Sequence, residues 1–501
     1  MTIVATRSGK VEGFERNGVT VFRGIPYAAP PVGSRRWQAP QREEPWSGTR
    51  DAGTFSAQSA QTEFALAAMM GERQPANSED SLYLNVWTPG CDDGRRPVMV
   101  WIHGGAFIWG SGDTPWYDGT KFAVHGDVVV VTINYRLGPF GFMHLADLFE
   151  GAFAGSGNAG ILDQIAALEW VRDCIAAFGG DPDRVTVFGE SAGAASVATL
   201  LGTPGARGLF RAAIPQSGAA SWVSTRDRAT DIAARVLENL GIRAGDSEAL
   251  LAASTDAVLG AQPAFREDGV TALPFQPVVD GTVLPEPPLA AIAAGNAAGV
   301  RVLTGTNLNE MTLFTVADPA LATLDEAGVR NRLRIAFGAA GDVMVESYRA
   351  RRPNVTPQEL WIDLATDGVF RIPAIRLLEA QLAHAPVWSY LFTFATPVFG
   401  GILRSTHALE IPFVFDNLDR GGAEVLTGAG PERQGIADAM HRSWIAFARD
   451  GDPQHAGLPE WPRYDIDRRA TMRFDTGSEL LEDPAGEDRA AFEAEIATVT
   501  P

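Results

Sequence analysis

The residues Arg184-Val-Thr-Val-Phe-Gly-Glu-Ser191-Ala-Gly193 carry the pattern G-x-S-x-G around a single serine. A serine hydroxyl is a poor nucleophile until it stands exposed beside a base, and this spacing can supply the exposure. Val185, Val187 and Phe188 predict a short buried strand, and the alanine-rich run Ser191–Leu201 predicts a helix. Only a very tight turn fits between them. Gly189 and Gly193 remove the Cβ atoms that would clash where strand and helix almost touch. Ser191 is therefore expected at the apex of a strained elbow, its hydroxyl at the positive end of the following helix. In an alanine- and glycine-rich chain the same pattern also arises as an ordinary loop, so a base, an acid and oxyanion donors must be found elsewhere.

The base is sought among seven histidines. In a strand-turn-helix site of this kind the chain order is serine, acid, histidine, which removes His103, His125 and His144. His384 and His441 fall inside predicted helices, and His455 lies in a loop near the C-terminus. His407 follows the predicted strand Val387–Phe394, where a loop can carry an imidazole back over the sheet edge. It is the preferred base, with His441 second. The acid should follow the predicted strand Val300–Thr304. Glu310 comes next in the chain and Asp318 is its nearest competitor; a solvated glutamate at a helix start is the plainer reading of Glu310 taken alone. Oxyanion donors require backbone N–H groups that turn inward at a strand's end. Val98-Met-Val-Trp-Ile102, an unbroken apolar run, runs into His103-Gly-Gly-Ala-Phe107 and offers such a turn.

These residues need a scaffold that brings them to one edge. Predicted strands at Val19–Arg23, Glu79–Trp87, Val98–Ile102, Asp127–Asn134, the elbow, Arg211–Pro215, Val300–Thr304, Val387–Phe394 and Thr471–Asp475 are separated largely by helical patterns. The clearest helix has Ile161, Ile165, Leu168, Val171, Ile175 and Phe178 on one face and stops at Gly179-Gly180. This alternation implies a mostly parallel α/β sheet covered on both faces, with ligands gathered at the strands' carboxyl ends. Pro277–Asp280 is also strand-like. Helical insertions are expected around 222–270 and 320–385, the second forming a cap over the active edge. Gln58–Asn77 has little periodicity and is expected to be a surface loop or a flap. No repeat or linker divides the chain, which is read as one domain over residues 1–501.

With 46% hydrophobic and 20% charged residues the chain has ample core. A net charge of −20 argues against binding nucleic acid or anionic membranes and leaves neutral or cationic small molecules as the easier fit. Two cysteines, Cys91 and Cys174, are too few for a disulfide framework or metal cluster. Met1–Lys10 lacks an apolar signal core, and no apolar run reaches membrane length. A soluble cytoplasmic protein is expected.

The chain resembles the type-B carboxylesterases of the α/β-hydrolase fold, the group containing bacterial para-nitrobenzyl esterases and, more distantly, animal cholinesterases. The resemblance runs nearly end to end. It rests on Phe22-Arg-Gly-Ile-Pro-Tyr-Ala, Pro30-Pro-Val-Gly33, Glu79-Asp-Ser-Leu-Tyr-Leu-Asn-Val86, His103-Gly-Gly-Ala-Phe107 and Asn134-Tyr-Arg136. Phe178-Gly-Gly-Asp-Pro182, the elbow itself and the His407 segment complete it. It implies Ser191 as nucleophile, Glu310 as acid and His407 as base, with the N–H groups of Gly105, Ala106 and Ala192 as the oxyanion hole. It also implies that Glu190 supports the imidazolium, and that Phe275 and Phe314 line acyl and alcohol pockets. Ser81 stands where secreted relatives carry a disulfide cysteine, in keeping with a reducing compartment, and Ala106 replaces a third glycine found in many relatives. The expected activity is hydrolysis of small-molecule carboxylic esters through an acyl-enzyme, without metal or cofactor. The rival readings are an amidase or carbamate hydrolase on the same triad, a lipase working at an oil surface, and a non-catalytic binding protein of the same fold.

Overall fold

The computed structural model describes residues 1–63, 76–263, 273–316, 318–321, 323–338 and 340–497. At its centre the strand Gly180–Glu190 lies parallel to Arg96–Ile102 on one side and to Ala212–Gln216 on the other. Parallel pairing continues outward through Arg301–Asn307, Val387–Phe392 and Ala470–Phe474. On the opposite side Val129–Ile133 is still parallel to Arg96–Ile102. Beyond it Tyr83–Thr88, Val19–Pro26, Lys10–Arg16 and Thr2–Ala5 run antiparallel.

The apolar runs read from the sequence are continuous because both faces of the sheet are buried. Val98, Val100 and Ile102 enter one core together with Ile161, Leu168 and Val197 from the helices Ala159–Cys174 and Ala192–Gly202. Met99 and Trp101 point the other way, into a second core with Trp444 and Phe447 of the helix Glu432–Asp450. A third core, built around Leu360, Trp361, Leu364 and Phe370, gathers the helices Glu326–Phe337, Ala340–Arg351, Pro357–Thr366 and Ile372–Leu382.

The strand-like Pro277–Asp280 does hold a strand, Val278–Val279, which pairs with Ser224–Thr225 in a separate two-stranded ladder. Several expectations need correction. Asp181-Pro-Asp183, whose composition reads as a turn leading into the elbow strand, is instead drawn into that strand, with a register irregularity between Gly180 and Val185 absorbing it. Thr471–Asp475 is not the last strand: Glu479–Glu482 pairs antiparallel with Ala470–Phe474, its acidic ends and half-buried leucines giving no clear apolar pattern. His384 lies just beyond the helix Ile372–Leu382, where its Nε2 faces the carbonyl of Ala293 at 2.9 Å. Most of Gln58–Asn77 lies outside the described residues; the described ends pair as Gln58–Ser59 with Asn77–Ser78.

Candidate active site

Ser191 has φ 57° and ψ −123°, a conformation a side-chain-bearing residue adopts only under constraint. It joins the last residue of the central strand directly to the helix Ala192–Gly202. The glycines on either side are required by the close approach of the neighbouring strand. A Cβ at Gly193 would stand 2.1 Å from the carbonyl oxygen of Ile102, and one at Gly189 would stand 2.6 Å from the same atom. The Ser191 N–H bonds Gln216 O at 2.9 Å, tying the elbow to the next strand. Ala192, at the first helical position, has an N–H with no acceptor within the helix.

Residues far apart in the chain close on this elbow. Glu310 follows the strand Arg301–Asn307, and its Oε1 accepts from the Asn307 N–H at 2.6 Å. Its Oε2 lies 2.6 Å from Nδ1 of His407. A carboxylate only accepts, so Nδ1 carries the hydrogen and a neutral His407 has its lone pair on Nε2. Nε2 stands 3.1 Å from Oε1 of Glu190, the residue before the serine, which brings the imidazole over the elbow. Among the described residues, Ser191 Oγ and His407 share no hydrogen bond. Such bonds are often long before substrate binds.

The site is strongly acidic. Glu190, Glu310 and Glu410 are each at most 4% exposed. Glu410 is held by Gln216 Nε2 at 3.1 Å and Asn307 Nδ2 at 2.7 Å. Burial pushes Glu190 well above the usual carboxylate range, opposed by His407 and reinforced by Glu410 and Glu310. Burial likewise raises Glu410, with Glu310 adding to it. For His407 burial disfavours the charge, but Glu190 and Glu310 together outweigh it and lift the imidazole to about 9. The two shifts compete, because His407 is raised by a charged Glu190 while Glu190 is itself driven toward neutrality. The direction that stands is a His407 raised by the acidic groups around it.

The Gly104–Phe107 turn packs against the serine. A Cβ at Gly104 would stand 3.1 Å from Cβ of Ser191 and 2.7 Å from Glu190 O. Gly105 and Ala106 both have positive φ, 102° and 55°. Their N–H groups have no acceptor among the described residues, and Gly105 O takes the N–H groups of Ile108 and Trp109.

Of the two expected pocket residues, Phe314 is half-buried with its ring 5.1 Å from the His407 ring, whereas Phe275 is 1% exposed within the main core. Phe370, not singled out in the sequence, lies closer still, 4.9 Å from His407, and meets Trp222 edge to face at 5.5 Å. It sits in a π-helical turn, Asp367–Arg371. Pro373 has no N–H and crowds the carbonyl four residues back, so Val369 O is free to accept from Trp222 Nε1 at 3.3 Å. A proline next to this turn was the available signal. For Glu410 the signal was a lone charge in the apolar run Ala408–Phe415.

The competing residues are engaged elsewhere. His441 Nδ1 donates to Val414 O at 2.8 Å and its Nε2 faces His125, burial holding it down at about 4. Asp318 pairs with Arg332 at 3.1 Å, and His455 Nε2 faces Ala439 O at 3.1 Å. Among the described residues no group of His, Cys, Asp and Glu is arranged to hold a metal ion, and no helix is long and apolar enough to cross a membrane.

A mostly parallel sheet with a serine elbow at its carboxyl edge, and a histidine and acid delivered by later loops, defines the α/β-hydrolase class. The comparisons specify the family. The carboxylesterase family profile matches residues 1–492, and the chain belongs to that family. It is 42% identical over 495 residues to para-nitrobenzyl esterase of Bacillus subtilis (strain 168), covering 97% of each chain. It is 36% identical to phenmedipham hydrolase of Pseudarthrobacter oxydans, covering 98% of each. The structure of carboxylesterase EST55 from Geobacillus stearothermophilus matches with a TM-score of 0.90 at 45% identity, covering 98% of this chain and all of that one. The protein is a serine hydrolase that hydrolyses carboxylic esters.

Proposed function

We propose that Ser191 is the nucleophile, His407 the general base and Glu310 the group that orients it, with Gly105, Ala106 and Ala192 donating to the oxyanion. The observation that carries this reading is the placement of His407 between Glu310 at 2.6 Å and Glu190, the serine's neighbour, at 3.1 Å. Ser191 Oγ attacks the ester carbonyl and gives its proton to Nε2; the carbonyl π electrons move onto oxygen, which rests on the three N–H groups. The intermediate collapses with the C–O electrons leaving on the alcohol, which takes the proton from Nε2, and an acyl-enzyme remains. Water repeats the sequence to release the acid. Glu190 offsets the charge on the imidazolium while it exists. The experiment is a pre-steady-state burst with p-nitrophenyl acetate: wild type gives one and Ser191→Ala gives none. An S191A protein that still turns over would refute the assignment.

Trp222, Phe314 and Phe370 wall the space beside His407, which favours neutral acyl groups of limited length; Phe275 is buried in the main core and has no part in this wall. Rates on esters, anilides, carbamates and emulsified triglyceride distinguish an esterase from an amidase, carbamate hydrolase or lipase on the same residues. The chain is read as a single catalytic domain with helical insertions around 222–270 and 320–385. A bacterial cytoplasm fits two free cysteines and serines hydrogen-bonded where a disulfide could stand, Ser59 Oγ to Ser81 Oγ at 2.9 Å.

A further inference from the structure

We infer that Gln61 is a positioning residue for the oxyanion turn, setting the height of the Gly105 and Ala106 N–H groups above Ser191 by clamping Gly110 from outside the site. This rests on the oxyanion assignment above. Gln61 lies just after the strand Gln58–Ser59 and is 4% exposed. Its Oε1 accepts from the Gly110 N–H at 2.9 Å, and its Nε2 donates to Gly110 O at 2.9 Å and to Ser59 O at 3.0 Å. One planar amide therefore engages both polar groups of a single residue. Thr62 adds a bond from the other side, accepting from Trp109 Nε1 at 3.2 Å.

Gly110 has nowhere to move except with the turn. A Cβ there would stand 2.6 Å from Gly104 O and 2.4 Å from Nδ1 of His103. One at Gly105 would stand 2.1 Å from Trp109 O, and Trp109 N bonds back to Gly105 O at 2.8 Å. Gly104 in turn lies against the Ser191 side chain. Displacement of Gly110 is thus passed through Trp109 to Gly105 and through Gly104 to the serine. The side chain touches neither the serine nor the histidine, so its effect should fall on the oxyanion alone. An oxyanion donor is worth most when fixed before reaction, and sub-ångström errors in its placement weaken the transition state more than the bound substrate.

The test compares 2,2,2-trifluoroacetophenone with acetophenone as inhibitors of wild type, Gln61→Met and Gln61→Asn. The fluorinated ketone adds Ser191 Oγ to its carbonyl carbon, its π electrons becoming an oxyanion and the serine proton passing to His407; acetophenone only binds. Gln61→Met should raise the Ki of the fluorinated ketone by roughly 10- to 100-fold and lower kcat/KM for p-nitrophenyl acetate by the same factor. The Ki of acetophenone should stay within about threefold, and the acidic limb of the pH profile should not move. Q61N keeps an amide that cannot reach both groups of Gly110, should show the same pattern to a lesser degree, and decides the matter if Q61M does not fold. A fluorinated-ketone Ki within about threefold of wild type, or both ketones weakened together as a purely structural role requires, overturns the inference. Wild type that fails to bind the fluorinated ketone more tightly than acetophenone instead refutes the acyl-transfer assignment on which it rests.

Discussion

Glu190 Oε1 lies 3.1 Å from Nε2 of His407 yet accepts no hydrogen bond among the described residues. The contact is close enough for charge attraction without engaging Nε2 in a hydrogen bond. That leaves Nε2 available to a serine proton while the carboxylate still favours the imidazolium.

Glu190→Gln should therefore move the pH profile without abolishing activity. The base must be unprotonated to act, so activity falls as pH drops through the imidazole pKa, which is raised to about 9 with Glu190 and Glu310 present. A neutral side chain at 190 lowers that pKa, and the acidic limb of kcat/KM should move down by roughly one pH unit or more. The stability linked to this histidine has the matching sign. It is fully present below the unfolded pKa of about 6.5 and is lost as pH rises through the folded value. An unchanged limb in E190Q would show that its charge does not act on His407.

Glu310→Gln keeps the size of the side chain but removes the charge facing Nδ1, and allows the wrong ring tautomer. We expect kcat to fall roughly 10,000-fold with little change in KM, measured on p-nitrophenyl acetate. A loss below about tenfold would argue that another group orients the ring.

Phe370→Ala removes the ring that meets Trp222 and His407. The preference for p-nitrophenyl octanoate over acetate, as a ratio of kcat/KM, should rise roughly tenfold or more. An unchanged ratio would place the acyl chain away from this wall.

Ser59 and Ser81 are buried and joined hydroxyl to hydroxyl at 2.9 Å, so a pair of cysteines there tests whether the two positions can be bridged. The double variant S59C/S81C, oxidised, should be stabilised by about 3 kcal/mol, and the gain should vanish in dithiothreitol. Thermal melts in both conditions check this; a lower Tm in the oxidised form would mean the cysteines cannot bridge without strain.

The elbow was legible in the sequence because its constraints are local: glycines two residues either side of Ser191 answer to the neighbouring strand's carbonyl, whatever the rest of the chain does. The parallel sheet was legible too, since strands buried on both faces leave unbroken apolar runs. Chain order and loop position favoured His407 over His441 as the proposed base, while Glu310 over Asp318 as the proposed acid came from the family resemblance. Their meeting, across 97 positions, depends on where parallel strands end, and only the fold brings them together. Glu410 and Phe370 escaped sequence reading because their partners, Gln216, Asn307 and Trp222, come from distant segments. The edge strand Glu479–Glu482 escaped for the opposite reason: four residues with exposed acidic ends and two half-buried leucines leave too little apolar pattern to read. Chemistry that depends on neighbours in the chain was written in the sequence, and chemistry that depends on neighbours in space was decided by packing.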